Sequence, residues 1–365
     1  EAGLSLVEIP PVPSGHGFTV CLTHDIDFIG IRRHKLDHTM WGFLWRATFG
    51  ATREFVRRRL AFSRLLRAWQ SAVTLPLVYL GWARDFWEPF EWYLQVERGL
   101  PATYFLIPFK HRTGGKVSAK HAKRRACVYD ISDLGDWTAK LMDRGCEIGV
   151  HGIDAWQDTE LGGKELVRIT AVTGEPSPGI RMHWLLQDAQ TPCVLEKAGY
   201  GYDSSAGYNE TVGYRNGTSQ PFRPPGTRTL IELPLHIQDG ALFFAQRLNL
   251  SAAGADAICR DMVGQVQEFG GVLTVLWHDR SHAPERFWGD FYSHLIMMLK
   301  STNAWFAGGA QAVAWFQKRR AVCFERGTGG AIVVRLRPCG GQITPPLRLR
   351  THVPCDGRPR SDASP

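Results

Sequence analysis

Residues 18–28 read Phe-Thr-Val-Cys-Leu-Thr-His-Asp-Ile-Asp-Phe. Phe18, Val20, Cys21 and Leu22 are apolar or β-favouring, and Pro11, Pro13 and Gly15 punctuate the approach, which predicts a short buried strand. Its C-terminal end turns abruptly polar at Thr23, His24, Asp25 and Asp27. Two carboxylates and an imidazole at a strand end are costly unless they are paired, hydrogen-bonded or bound to a cation. In an α/β sheet or barrel, active sites are built at the C-terminal strand ends. Taken alone, the stretch reads equally well as a solvated loop, so its partners decide.

Working outward, the same pattern returns. The apolar runs 101–108, 147–151, 179–185 and 271–278 read as strands, with helical segments near 136–144, 163–172, 193–198, 253–269, 291–300 and 310–318. Shorter strands are expected at 200–203, 231–235 and 304–306. Strand alternating with helix argues a parallel α/β sheet or a (β/α) barrel. Residues 1–17 read as an extended lead-in. Residues 36–99 read as a basic helical insertion, in which Arg53, Arg57, Arg58, Arg59, Arg64 and Arg67 interleave with aromatic and aliphatic residues. A cap with solvated arginines is the favoured reading of that insertion, and a helix pair on an anionic membrane surface is the other. The charge-free run 68–83 contains Pro76 and is shorter than the roughly 20 apolar residues a spanning helix needs. Residues 110–126 read as a basic, mobile loop. Residues 321–353 alternate apolar and polar around Gly- and Pro-rich turns, which suggests a small antiparallel β module, and 354–365 a disordered tail. The main domain thus spans 1–320.

Composition bounds the partners. With 365 residues, 44% of them hydrophobic and 21% charged, the chain is ordinary globular material with room for a large core. The formal charge of +8 favours anionic partners such as an acidic or phosphorylated carbohydrate or an anionic membrane face. The expected partners are a carbohydrate substrate, with peripheral membrane contact through the insertion; nucleic acid is not expected. The eight cysteines form no Cys-x-x-Cys pair and give no zinc-finger or redox signature, which fits a reducing compartment. No signal-peptide pattern is visible. The expected location is cytoplasmic, at the inner membrane face if the insertion touches lipid.

Four separate strands end on proton- or metal-competent groups: Asp25 and Asp27, His151, Arg181 and His183, and His278. The C-terminal ends of one parallel sheet converge in space, so the four ends acting together are harder to dismiss than one histidine. Their order resembles the polysaccharide deacetylases of carbohydrate esterase family 4. The resemblance implies a distorted (β/α) barrel that removes acetyl groups from N-acetylated sugars with a divalent metal, usually Zn, with Mn or Co also admitted by mixed oxygen and nitrogen ligands.

Residue by residue, Thr23-His24-Asp25-Ile26-Asp27 resembles the family's Thr-Phe-Asp-Asp-Gly. That makes Asp25 the catalytic base and, with a displacement of one residue, Asp27 a metal ligand. His151-Gly152-Ile153-Asp154-Ala155 resembles His-Ser/Thr-x-x-His, with its second histidine replaced by Ala155. His151 would bind metal, and the third ligand would come from His183 or Asp154. Arg181-Met182-His183-Trp184 resembles Arg-x-Pro-Trp/Tyr, so Arg181 would orient the base and Trp184 would wall the acetyl pocket. His278 matches the histidine of the last motif and would be the general acid, tuned by Asp279 or Arg280. Tyr208 and Arg215, in the polar loop 207–218, suit sugar recognition. The rival readings are a non-catalytic carbohydrate-binding protein, inactive through Ala155, and a hydrolase of another non-peptide C–N bond.

Overall fold

The computed structural model describes residues 6–115, 124–328, 331–337 and 345–352. Its centre is a nine-stranded sheet in which every strand pairing is parallel. Numbering strands along the chain, β1 is Leu6–Glu8, β2 Thr19–Ile26, β3 Ala102–Leu106, β4 Glu147–Gly152, β5 Gly179–Met182, β6 Tyr202–Asp203, β7 Ile231–Glu232, β8 Ile237–Gln238, β9 Val272–Leu276 and β10 Trp305–Phe306. The sheet order is β7-β6-β5-β4-β3-β2-β9-β8, and β10 pairs with the start of β2. All eight residues of β2 are buried, as a central strand covered on both faces requires.

The two ends of this order are neighbours in sequence. Only five Cα steps separate Glu232 in β7 from Ile237 in β8, at most about 18 Å of chain. Along that segment the partners change. Leu233 and Leu235 donate to the carbonyls of Asp203 and Ala206 on the β6 side, and His236 donates to Thr274 of β9. One extended segment therefore bridges both edges and closes the sheet into an α/β barrel. The closure is distorted because β7 and β8 hold opposite neighbours over only two residues each.

Helices cover the outside with apolar stripes at helical spacing. In Ala252–Phe269, Ala255, Cys259, Met262, Val263 and Val266 are buried. The expected insertion is present. His38–Trp45 runs through a π-helical turn at Arg46–Gly50 into Ala51–Val56, and Phe62–Leu80 packs beside it, followed by Phe90–Val96. The insertion has its own small core of Ile31, Met40, Phe43, Ala47, Leu75, Val78 and Trp87, seated on Ala283. Among the described residues, no helix is long and apolar enough to cross a membrane.

The C-terminal segment departs from the single β module expected over 321–353. Val322–Arg326 (β11) and Ile332–Leu336 (β12) form an isolated antiparallel ribbon, whereas Arg350–His352 (β13) pairs with β1 instead. Alternation in sequence could predict strands there but not their partners. The expected tail 354–365 and residues 116–123 of the basic loop lie outside the described residues. The described end of that loop holds a fully buried Arg125, whose guanidinium donates to the carbonyls of Thr113, Ile153 and His183. The six described cysteines are free thiols.

Candidate metal and acid–base centre

Strand alternation sorts the opening stretch. In a strand, residues i and i+2 face the same side, so Thr23, Asp25 and Asp27 point into the barrel and His24 points out. His24 is accordingly no part of the centre. It is buried on the outer face, with Nδ1 3.0 Å from the Trp277 carbonyl and Nε2 2.8 Å from Glu97 Oε1. The Asp-Ile-Asp spacing is what places two carboxylates on the inner face, with Ile26 in the core behind them.

Asp27 Oδ1, His151 Nε2 and His183 Nδ1 form a triangle. Asp27 to His151 is 3.3 Å, Asp27 to His183 is 3.1 Å, and the two imidazole nitrogens are 2.9 Å apart. Atoms sharing one divalent ion at bonds of about 2.0–2.2 Å are spaced by about 3 Å, so the triangle fits a common ion. The chemistry of the donors fits as well. His151 Nδ1 lies 3.0 Å from the Arg181 carbonyl, an acceptor that only an N–H can satisfy, which leaves the Nε2 lone pair facing the cluster. Asp27 Oδ1 is buried and makes no formed hydrogen bond. Burial opposes its charge, but His183 and His151 outweigh that and hold its pKa well below the usual carboxylate range.

Of the two candidates for the third ligand, the structure brings His183 to the cluster and Asp154 elsewhere. Asp154 Oδ1 accepts the Gly115 N–H at 2.8 Å and the Gln157 side-chain amide at 3.3 Å. Glu165 fixes this loop, taking the backbone N–H groups of Ile153 and Asp154. Ala155 is fully buried, and a Cβ on Gly162 would stand 3.2 Å from its own Cβ. Ala155 thus packs against helix Thr159–Thr173 and offers no ligating atom where the usual second histidine would stand. His183 sits on a tight turn after β5, with its carbonyl held by Arg125.

Beside the triangle, Asp25 Oδ1 accepts from Arg181 Nη1 at 3.1 Å, while Asp25 Oδ2 is 3.9 Å from His151 Nε2. Arg181 is itself locked: it donates to Thr23 Oγ1 and to the carbonyl and hydroxyl of Ser204, and it lies over the Phe105 ring. Asp203 and Glu232 are buried against the Ser204–Ala206 backbone, where burial pushes the Asp203 carboxyl up to about 6.

Opposite, His278 Nδ1 lies 2.6 Å from Asp239 Oδ1, and its backbone N–H donates to Asp239 Oδ2. Burial disfavours the imidazolium, but the Asp239 carboxylate outweighs it and raises the pKa to about 9. The tuning group is thus Asp239, not the Asp279 or Arg280 expected from sequence. Asp239 follows β8, a strand too short to read from the sequence; its signal was the same strand-end position that marks the other groups. Asp279 instead accepts the Asp27 backbone N–H at 3.1 Å. Burial and the Asp27 charge push its carboxyl up to about 7.

Asp25, Asp27, His151, His183, His278 and Asp279 line one cavity of about 490 Å3, together with Trp184, Phe244, Trp288, Arg247, Arg280 and Arg286. Trp184 holds φ +66° on the turn after β5, a strained backbone for an aromatic residue, with its carbonyl accepting from Asn209. Tyr208 and Arg215 do not line the cavity. Tyr208 offers its carbonyl to Gln238, and Arg215 pins the loop through the Gly207 carbonyl at 2.7 Å. Their neighbours Asn209 and Glu210 are the residues of that loop that reach the cavity.

Fold and site together define an α/β barrel with an Asp-His-His cluster that could hold a metal ion, between an Arg-held carboxylate and an Asp-held histidine. No protein-family model and no curated protein sequence matches the chain. Among solved structures it is similar to PuuE allantoinase (14% identity over 84% of this chain and 92% of that one, TM-score 0.49). It is similar also to a "probable polysaccharide deacetylase" from Pseudomonas aeruginosa PAO1 (14% identity over 85% and 94%, TM-score 0.49). TM-scores below 0.5 at such identities give these likenesses no functional weight; the side chains of the site carry it.

Proposed function

We propose that the chain is a metal-dependent hydrolase, a divergent member of the polysaccharide deacetylase superfamily, that removes an N-acetyl group from a sugar carrying an anionic substituent. The observation that carries this reading is the convergence in one cavity of the Asp27–His151–His183 triangle, Asp25 on Arg181, and His278 on Asp239. The triangle would hold the ion, Zn by the donor set, with Mn or Co also accommodated. When bound, such an ion supplies Lewis-acid polarisation of a carbonyl and a lowered pKa for water.

The chain supplies the proton handling. Arg181 occupies Asp25 Oδ1 and leaves Oδ2 to take the proton of the attacking water. His278, kept protonated by Asp239, has Nδ1 committed and presents Nε2 to the leaving nitrogen. As the amide C–N bond breaks, that nitrogen takes the proton and leaves as a neutral amine, with acetate as the other product. Trp184 offers an aromatic wall for the acyl group. With His183 in the triangle, Ala155 no longer implies an incomplete ligand set.

The anionic substituent is supported by the cavity's arginines. Arg247, Arg280 and Arg286 face the acids Glu210 and Asp279 there, and Arg286 Nε is buried without a hydrogen-bond partner. Burial, with Arg280 and Arg46 nearby, pulls the Arg286 pKa down to about 9, a cost that a bound anion would relieve.

The test is acetate release from N-acetylglucosamine 1-phosphate and from N-acetylglucosamine, with Zn, Mn or Co added. Release is expected to favour the phosphorylated sugar, and Asp25→Asn to lower it by about 10²–10⁴-fold. No release from any N-acetylated sugar would sink the reading.

A further inference from the structure

Helix Phe62–Leu80 is apolar on two sides. Leu65, Ala68, Ser71, Leu75 and Val78 are buried against the insertion core. On the other side Phe62, Leu66, Trp69, Val73, Leu77 and Leu80 recur at steps of three and four residues, and each is between 41 and 78% exposed. The neighbouring helix repeats the arrangement, with Trp41, Trp45, Phe49 and Val56 all more than half exposed. The two run side by side: Trp69 Nε1 donates to Thr52 Oγ1 at 3.3 Å, and the Phe55 and Phe62 ring centroids are 5.8 Å apart.

Two adjoining apolar stripes of this size are not left bare on a protein that works alone in water. Their surroundings indicate what covers them. Between residues 46 and 67 there are seven arginines and one acid, Glu54. Three of the seven have ion-pair partners: Arg46 with Glu285, Arg57 with Glu54 and Arg64 with Asp290. Among the described residues, Arg53, Arg58, Arg59 and Arg67 make no ion pair. A second copy of the chain would bring this cationic stretch against itself. An anionic lipid surface would take the aromatic stripes into its interface and the guanidinium groups among its headgroups.

We infer that the insertion is an interfacial anchor that docks the protein on anionic membrane. This goes beyond the hydrolase reading and does not depend on it. The anchor is coupled to the cavity through loop 283–290. Ala283, Phe287, Glu285 and Asp290 hold the insertion, and Arg286 and Trp288 of the same loop line the cavity. Docking would therefore hold the cavity close to the headgroup layer.

Flotation of the full chain with vesicles tests this, using phosphatidylcholine alone and phosphatidylcholine with about 30% phosphatidylglycerol. Partitioning should be at least about tenfold stronger onto the anionic vesicles and should fall steeply at about 1 M salt. The double variant Trp45→Glu, Val73→Glu should lose binding to both while keeping its circular dichroism spectrum and melting temperature. The triple variant Arg57→Gln, Arg58→Gln, Arg59→Gln should lose chiefly the preference for the anionic lipid. Folded protein that stays off anionic vesicles would overturn the inference, and so would equal binding to both compositions. A dimer in sedimentation velocity that Trp45→Glu dissociates, with no vesicle binding, would show instead that a second copy covers the face.

Discussion

At the scale of single residues, the centre depends on which groups are held and by what. Asp25 and His278 face the same cavity, yet one is gripped by a guanidinium and the other by a carboxylate, and that carboxylate raises the proton affinity of His278. Replacing Asp239 by Asn keeps an acceptor for His278 Nδ1 but removes the charge that opposes burial. The basic limb of the pH–rate profile for acetate release should then move from about pH 9 toward or below the ordinary histidine value of 6.5. A limb that stays in place would assign it to another group. The same pair stabilises the fold with a definite sign. Its folded-state pKa is raised, so its contribution is complete below about pH 6.5 and is lost as pH rises through about 9.

At the scale of elements, the closing segment between β7 and β8 carries a titration of its own. His236 is buried there, accepting the Thr274 N–H on Nδ1, and burial lowers its pKa to about 4. The unfolded chain binds the proton more tightly, so the stability gained by burying the neutral ring is present above about pH 6.5 and lost as pH falls toward 4. His236→Gln, whose carbonyl can still accept from Thr274, should flatten the decline of urea midpoints between about pH 6.5 and 4. An unchanged decline would place the acid-sensitive group elsewhere. Long elements with clear periodicity were legible in the sequence: β2, the helix at 252–269 and the insertion stand close to their expected bounds. Among the shortest elements, β6, β7 and β10 fall inside expected strands, whereas β1 and β8 were not legible. β8 and β1 have too few side chains to set a period, and long-range pairing alone defines them.

At the scale of the whole molecule, three chain-distant strand ends, after β2, in β4 and after β5, contribute one side chain each to the triangle. An ion bound there would tie them together and stabilise the folded state by mass action. Elemental analysis should find about one divalent ion per chain, and excess Zn should raise the melting temperature while a chelator lowers it. His151→Ala and His183→Ala should lose both the ion and the shift. Asp154→Ala should keep both, and its loss of the ion would return Asp154 to the ligand set.

The sequence by itself determined an alternating α/β class, open between sheet and barrel, with the four strand ends and the identity of their groups. Those features follow from local periodicity and from the cost of burying charge. Only the tertiary structure brought His183 rather than Asp154 to Asp27 and His151, gave His278 its Asp239, withdrew Tyr208 and Arg215 from the cavity, and closed the sheet through residues 231–238. Each of those depends on packing between segments apart in the chain, such as Asp239 after β8 against His278 after β9. No local pattern encodes such a contact.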